Sequence, residues 1–354
     1  MQIPFITYFA EYLGFFIAFF ANLTLIHLIL TRTRQNFGSY KYLMLWFACF
    51  SLWYSIIDIL TQPAMHSYLN SYIVFCASWF KYDPFLAPII ITSYCTSYGL
   101  TLVLLAIHFV YRYIAMIHPN QIQWFKYPRA LIWPSIFIVI AIFWWCNVYF
   151  LLSSNATFNA YLNETIYENY EERIERLSYI GPLYFIIGDK GDIQIQWKSC
   201  LGMINVYCIA ITTLVTIMSL GYAVYKKMQS VNDMVAEKTR ALQKQLFHAL
   251  VLQVPPLGRK IKLKIENFQT IVPIIFMYTP TTVLFICPII GVELGVIANM
   301  TSICLALYPA LDPLVVMYFI RDYRAFLMKK LRLTRSVSSA TRNTSITKHE
   351  EDII

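Results

Sequence analysis

Seven long stretches of this sequence are almost free of Asp, Glu, Lys and Arg: Tyr12 to Leu30, Tyr42 to Leu60, Phe85 to Val110, Ala130 to Leu152, Ser199 to Tyr225, Thr270 to Val292 and Leu294 to Ile320. A helix needs about 20 residues to cross a hydrocarbon layer of about 30 Å, and every stretch is of that order or longer. Only two acids fall inside them, Asp58 in the second and Asp312 in the seventh. The runs are continuous rather than alternating, and backbone groups in lipid must be satisfied within their own segment, so helices are predicted and a β-barrel is excluded. The expected fold is an all-α membrane protein with a seven-transmembrane helix bundle over residues 1–331. Glu293 separates the last two stretches and marks a tight turn or an outer rim.

Composition agrees with this reading. Of 354 residues, 58% are hydrophobic and 13% charged, against about 25% charged in an ordinary soluble domain. The formal charge of +9 points to nucleic acid only if the bases cluster on a folded surface, and here they sit in loops and tail. Five of the Lys and Arg residues, Lys81, Arg173, Arg176, Lys190 and Lys198, fall on one side of the expected bundle, and the rest fall on the other. The positive-inside rule then expects the N-terminus outside and the C-terminus in the cytoplasm, with the lipid bilayer as partner and no nucleic acid. The extreme N-terminus lacks a basic leader region, so the first span is expected to act as its own insertion signal.

The loop expected outside between the fourth and fifth spans carries Asn155-Ala156-Thr157 and Asn163-Glu164-Thr165. Both read as glycosylation acceptors at Asn155 and Asn163. Three further matches, at Asn22, Asn299 and Asn343, lie at membrane depth or in the inner tail and are discounted. After the seventh span, residues 321–331 place apolar and basic side chains at helical spacing, which predicts a short amphipathic helix on the inner leaflet. Residues 332–354 are rich in Ser, Thr, Asn and Lys and are expected to be a disordered cytoplasmic tail.

Motifs for enzymatic chemistry do not occur. There is no Gly-rich phosphate loop, no nucleophile elbow and no HExxH. The eight cysteines show no CxxC pair, so neither a metal site nor any other cofactor is expected. The chain is read as a receptor, not an enzyme. Acids inside a membrane are costly and attract a functional reading. Asp58 and Glu11, however, lie near outer ends of their spans and are expected to snorkel toward water. So little intramembrane charge disfavours a proton-coupled transporter or a cation pore and suits an uncharged, apolar ligand. Asp312 precedes Pro313, where a missing backbone donor and a nearby carboxyl make a hinge. His108, Tyr111 and Arg112 close the third span at its inner end, where a cytoplasmic partner reaches the bundle. Tyr94 and Tyr98, with Thr96 and Ser97, face either neighbouring helices or a cavity.

Several strings together resemble the nematode seven-transmembrane chemoreceptors of the Str type. They are residues 38–44 (GSYKYLM), 54–58 (YSIID), 108–113 (HFVYRY), 246–253 (LFHALVLQ) and 307–314 (LYPALDPL), followed by Tyr323-Arg324. The resemblance runs from the first inner loop to the helix after the seventh span. It implies a GPCR-like receptor of sensory-neuron cilia that binds a small odorant among its helices and signals to a heterotrimeric G protein. Arg112 is similar in place to the acidic-Arg-aromatic motif of rhodopsin-like receptors, and Asp312-Pro313 to their seventh-helix Asn/Asp-Pro motif. Tyr111 replaces the acid, which removes the usual ionic lock.

On this reading, ligand binds in an outer-half cavity among the third, fifth, sixth and seventh helices, with Tyr94, Tyr98, Asn205, Tyr278, Thr281 and Asn299 as candidate contacts. Cys76 and Cys200 are candidates for an outer disulfide. The competing reading is a ligand-gated chemosensory channel, whose N-terminus would be inside, against the charge asymmetry and the loop sequons. One segment departs from the family pattern. Residues 254–269, with Pro255, Pro256 and Gly258, interrupt the approach to the sixth span, and joining Gln253 to Thr270 restores the pattern. Valine codons begin with GT and Asn-Phe-Gln can be encoded by a T-rich stretch ending in CAG. The segment therefore has the form of an in-frame unspliced intron.

Overall fold

The computed structural model describes residues 5–32, 38–188, 192–234, 271–320 and 322–330. Its helices are α1 (Phe5–Arg32), α2 (Tyr40–Thr61), α3 (Leu86–Ile117), α4 (Ile132–Leu151), α5 (Ala156–Tyr170), α6 (Trp197–Met234), α7 (Thr279–Ile286), α8 (Asn299–Phe319) and α9 (322–330). Six of these elements are long and apolar enough to cross a membrane, and the shorter helix Ile271–Ile286, which includes α7, supplies the seventh span. The chain is a seven-transmembrane helix bundle, with α5 lying outside it. Residues 254–269 and the tail 332–354 lie outside the described residues.

The central helix is α3, buried along most of its length and packed against α2, α4 and α6. α1 closes the bundle between α2 and α8. That approach is close because position 14 is glycine; a Cβ there would stand 2.7 Å from the Ala306 carbonyl oxygen. α4 is the most peripheral span, with Ile138, Val139 and Ile142 more than half exposed, as suits side chains facing lipid.

The sixth span is shorter than the 270–292 expected. It ends at Ile286; residues 287–291 form turns, and Gly291 and Gly295 in this connection have positive φ. Within it, Ile274–Tyr278 make one π turn between Pro273 and Pro280. A proline cannot donate to the turn before it, and a π turn absorbs the register change that this causes. Thr279 Oγ1 donates to the Ile274 carbonyl at 2.8 Å, and Thr301 of α8 donates to the Pro280 carbonyl at 3.3 Å.

One end of the bundle is covered by a folded cap. The hairpin β1 (Pro63–Tyr68) and β2 (Ser71–Cys76) pairs antiparallel, and β3 (Tyr179–Ile180) adds to β2. α5 lies against this sheet and contributes Phe158, Ile166 and Tyr170 to a separate core with Phe75 and Tyr179. Asn155 caps α5, its side-chain oxygen accepting from Phe158 N at 2.9 Å. A second hairpin, β4 (Phe185–Ile187) with β5 (Ile193–Ile195), leads into α6.

At the other end, α9 docks onto the bundle through Tyr323, which is fully buried among Leu28, Ile29 and Met317. Arg32 lies over the Phe326 ring, 4.4 Å from its centroid.

Two expectations are corrected. Glu11 and Asp58 do not snorkel: they are 1% and 2% exposed, enclosed by α1, α2 and α8. Cys76 and Cys200 are both free thiols. Cys76 Sγ contacts the Thr61 carbonyl at 3.4 Å and Cys200 Sγ the Tyr184 carbonyl at 3.6 Å, so each is turned to its own backbone partner.

Candidate ligand-binding site

Beneath the cap lies a cavity of about 570 Å³, counting the space open at its mouth. α3 contributes Tyr94, Cys95 and Tyr98, and α7 contributes Thr281, Leu284 and Phe285. Trp144 of α4, Met203 of α6 and Leu305 of α8 complete the wall, and the roof is Met65, Tyr72 and Gly181 of the cap. Among the described residues, no Asp, Glu, Lys, Arg or His lines it. Burying an unpaired charge in such a wall costs far more than the cavity can return, so it suits a neutral ligand.

The polar atoms of the wall are few and fixed. Tyr98 Oη and Thr281 Oγ1 meet at 2.9 Å, joining the third and sixth spans. Tyr72 Oη donates to Met203 Sδ at 3.4 Å. Tyr94 Oη is buried and has no hydrogen-bond partner among the described residues. Its ring lies 5.9 Å from that of Tyr54, centroid to centroid. Next to the wall residue Phe285, Tyr184 and Tyr207 hydroxyls meet at 3.1 Å, and Tyr207 also donates to the Phe285 carbonyl at 3.2 Å. The cap, α6 and α7 are thereby tied together. Burial pushes the Tyr184 phenol well above the ordinary tyrosine range, so it is a neutral hydroxyl.

Of the six candidate contacts, Tyr94, Tyr98 and Thr281 line the cavity. The other three serve elsewhere. Tyr278 donates to Thr213 Oγ1 at 3.0 Å and ties the π turn to α6. Asn205 Nδ2 donates to Asn147 Oδ1 at 2.7 Å, joining α6 to α4. Asn299 accepts from Met65 N at 2.8 Å and donates to the Val296 carbonyl and to Tyr170 Oη, pinning the cap to α8. Each polar group is consumed by a structural hydrogen bond, which sequence position alone does not reveal. Trp144, Met203 and Leu305 were not foreseen, since one apolar residue in an apolar span carries no mark of facing a cavity.

A second, smaller cavity opens near the other end, lined by Tyr40, His108, Arg112 and Asp312 among others. Arg112 Nη2 donates to Tyr40 Oη at 3.1 Å, and its guanidinium lies 5.5 Å from the Phe109 ring centroid. Tyr111 stacks on Tyr40 at 5.1 Å and meets Phe125 edge-on at 4.8 Å, fastening α3 to α2 and to the loop before α4. His108 is buried with its ring edge-on to Phe47, centroids 5.0 Å apart. α8 stays helical through Pro313, and Asp312 on it faces the cavity that Arg112 occupies. The structure thus brings together the cation at the end of the third span away from the cap and the acid of the seventh.

Asn155 and Asn163 are both solvent-exposed, on the cap at and within α5. The hydroxyl of Thr165, in the second sequon, is buried 3.0 Å from His66 Nε2.

Comparison with known proteins fits this geometry. The profile of the family described as "Serpentine type 7TM GPCR chemoreceptor Str" matches residues 7–255 and 267–328. The chain is 36% identical over 316 residues to "Serpentine receptor class r-10" of Caenorhabditis elegans, covering 89% of this chain and 88% of that one. It is 33% identical to "Serpentine receptor class r-10" of Caenorhabditis briggsae, covering 90% and 89%. It is 24% identical to "G-protein coupled receptor str-217" of C. elegans, covering 87% and 85%. Among solved structures, squid rhodopsin superposes with a TM-score of 0.60 at 11% identity, over 94% of this chain and 88% of that one, which shows a shared fold. With its seven spans and nearly full-length matches, the chain belongs to the Str family of serpentine seven-transmembrane chemoreceptors of the G-protein-coupled type.

Proposed function

We propose that the chain is a chemosensory receptor that binds a small, uncharged odorant beneath the cap and signals to a heterotrimeric G protein. The observation that carries this reading is the charge-free cavity between α3 and α7, whose wall is crossed by the Tyr98–Thr281 hydrogen bond. A ligand seated there competes with or rearranges the contact that links the third and sixth spans. It shifts the receptor between states only by its differential affinity for them. The inner cavity, where Arg112 and Asp312 come together, is the switch that a G protein reads.

The orientation that suits this role has the cap outside and α9 in the cytoplasm. The charge asymmetry of the loops supports it, and so does the exposure of Asn155 and Asn163 on the cap as glycosylation sites. Family membership supports placement in the sensory-neuron cilium. Residues 254–269 overlap the interval at which the family match breaks, between 255 and 267, which supports reading them as foreign to the working receptor.

The test is expression of the chain with and without residues 254–269 in cells that report calcium, followed by a screen of volatile compounds. A response to neutral volatiles that requires Arg112, confined to or stronger in the shortened form, is the expected result. An extracellular C-terminal tag, or responses to charged ligands alone, would overturn the reading.

A further inference from the structure

Beneath Pro63, the first residue of β1, three polar side chains converge from three spans: Glu11 of α1, Asp58 of α2 and Ser302 of α8. All are at most 2% exposed. Asp58 is the charged neighbour within electrostatic range of Glu11. No Lys, Arg or His among the described residues acts on either carboxyl. The other titratable groups facing the pair are phenols: Tyr8 of α1 beside Glu11, and Tyr54 of α2 and Tyr94 of α3 beside Asp58. Lys81 reaches as far as Tyr8 but is itself bridged to Glu172 at 3.2 Å.

Counting hydrogens decides the state of Glu11. Ser302 Oγ lies 2.6 Å from the Pro63 carbonyl oxygen and 3.1 Å from Glu11 Oε1. A hydroxyl has one hydrogen and a carbonyl has none. The shorter contact therefore uses the Ser302 hydrogen, and an ionised Glu11 Oε1 would face a lone pair of Ser302 Oγ. Two buried ionised carboxylates within electrostatic range of each other and without a cation are disfavoured on separate grounds, desolvation and mutual repulsion.

We infer that Glu11 is held as a neutral carboxylic acid, and that Glu11 and Asp58 together form a proton-binding site at the capped end of the bundle. The Glu11 O–H donates to Ser302 Oγ, and the Ser302 O–H donates to the Pro63 carbonyl. This relay ties α1 and α8 to the root of the hairpin whose Met65 roofs the ligand cavity. Loss of the proton turns the Ser302 hydroxyl back to the carboxylate and releases Pro63. Ligand access is thereby linked to the occupancy of this site.

The site is tested on the purified full chain by infrared spectroscopy at neutral pH, reading the C=O stretch of protonated carboxyl groups. The expected result is loss of one such band in Glu11→Gln and its retention in Asp58→Asn and Asp312→Asn. In Ser302→Ala, which keeps both carboxyls, the band moves to higher frequency because the acid has lost its acceptor. A spectrum unchanged by Glu11→Gln, or unshifted by Ser302→Ala, overturns the assignment. Thermal melting gives an independent readout. A folded chain that holds an extra proton loses stability as pH rises, so the alkaline fall in Tm is expected to be smaller in Glu11→Gln than in the wild type. Equal slopes in the two proteins count against the site.

Discussion

Tyr98 on α3 and Thr281 on α7 stand hydroxyl to hydroxyl at 2.9 Å in the wall of the cavity beneath the cap. Thr281 spends its own hydrogen within its helix, on the Met277 carbonyl, so Tyr98 is the donor. The bond is the polar link that a ligand entering this cavity meets between the third and sixth spans, and it gives the first of five predictions. Tyr98→Phe keeps the ring and removes the donor. It is expected to cost about 1 kcal/mol, lower Tm by a few degrees and raise ligand-independent signalling. Thermal shift together with a basal G-protein assay reads both.

Tyr94→Phe is expected to act in the opposite direction on stability. Its hydroxyl is buried without a partner among the described residues, and such a group costs about 1–3 kcal/mol. Tm should rise, while a ligand that uses this hydroxyl should need roughly fivefold more for half-response, the equivalent of about 1 kcal/mol. Melting and dose–response curves on the same preparation separate the two effects.

Arg112→Ala should leave surface expression near normal and reduce G-protein activation by about tenfold or more, a coupling of about 1.4 kcal/mol. Asp312→Asn, which keeps size but removes the acid facing the same cavity, should alter basal activity. Nucleotide exchange in isolated membranes measures each. An Arg112→Ala receptor with full exchange would remove the inner cavity from the signalling route.

Gly14 sits where α1 meets α8, with room for no Cβ beside the Ala306 carbonyl at 2.7 Å. Gly14→Ala should cost about 1–3 kcal/mol, since the obstacle is backbone rather than a movable side chain. Gly14→Leu should abolish surface expression. Whole-cell labelling of a tagged receptor distinguishes these outcomes from a neutral effect.

Acid should loosen the cap before the bundle. His66 of β1 is buried beside Thr165 and Tyr170, and burial pulls its imidazole down to about 4 from an ordinary 6.5. The folded cap therefore binds fewer protons than the unfolded chain between those values. Its stability is intact above about pH 6.5 and falls toward pH 4, by roughly 3 kcal/mol in all. Hydrogen exchange in residues 63–76 should accelerate over that window in the wild type and much less in His66→Gln.

The spans were readable in the sequence because lipid imposes a requirement on every residue of a helix, and that requirement leaves a long compositional trace. The inner-end marks at Arg112 and Asp312-Pro313 were readable for a related reason, since a charge or a proline in such a run stands out. Individual cavity residues were not. Asn205 and Asn299 look as available as Tyr94 in the sequence, yet their amides are taken by Asn147 and by Met65. Glu11 and Asp58 were misplaced for the opposite reason: an acid near a span end usually reaches water, and here the packing of the bundle closes that route.

The sequence by itself determined the number of spans, the side of the bundle that carries the bases and the family, all of which follow from properties that add up along the chain. The tertiary structure alone decided that the loops at one end fold into a cap with its own core, that Arg112 and Asp312 share a cavity, and that Glu11 and Ser302 meet beneath Pro63. These are pairings between residues as many as 291 positions apart. Hydrogen bonds and burial depend on which atoms come within about 3 Å, and the order of residues along a strand or helix does not contain that distance.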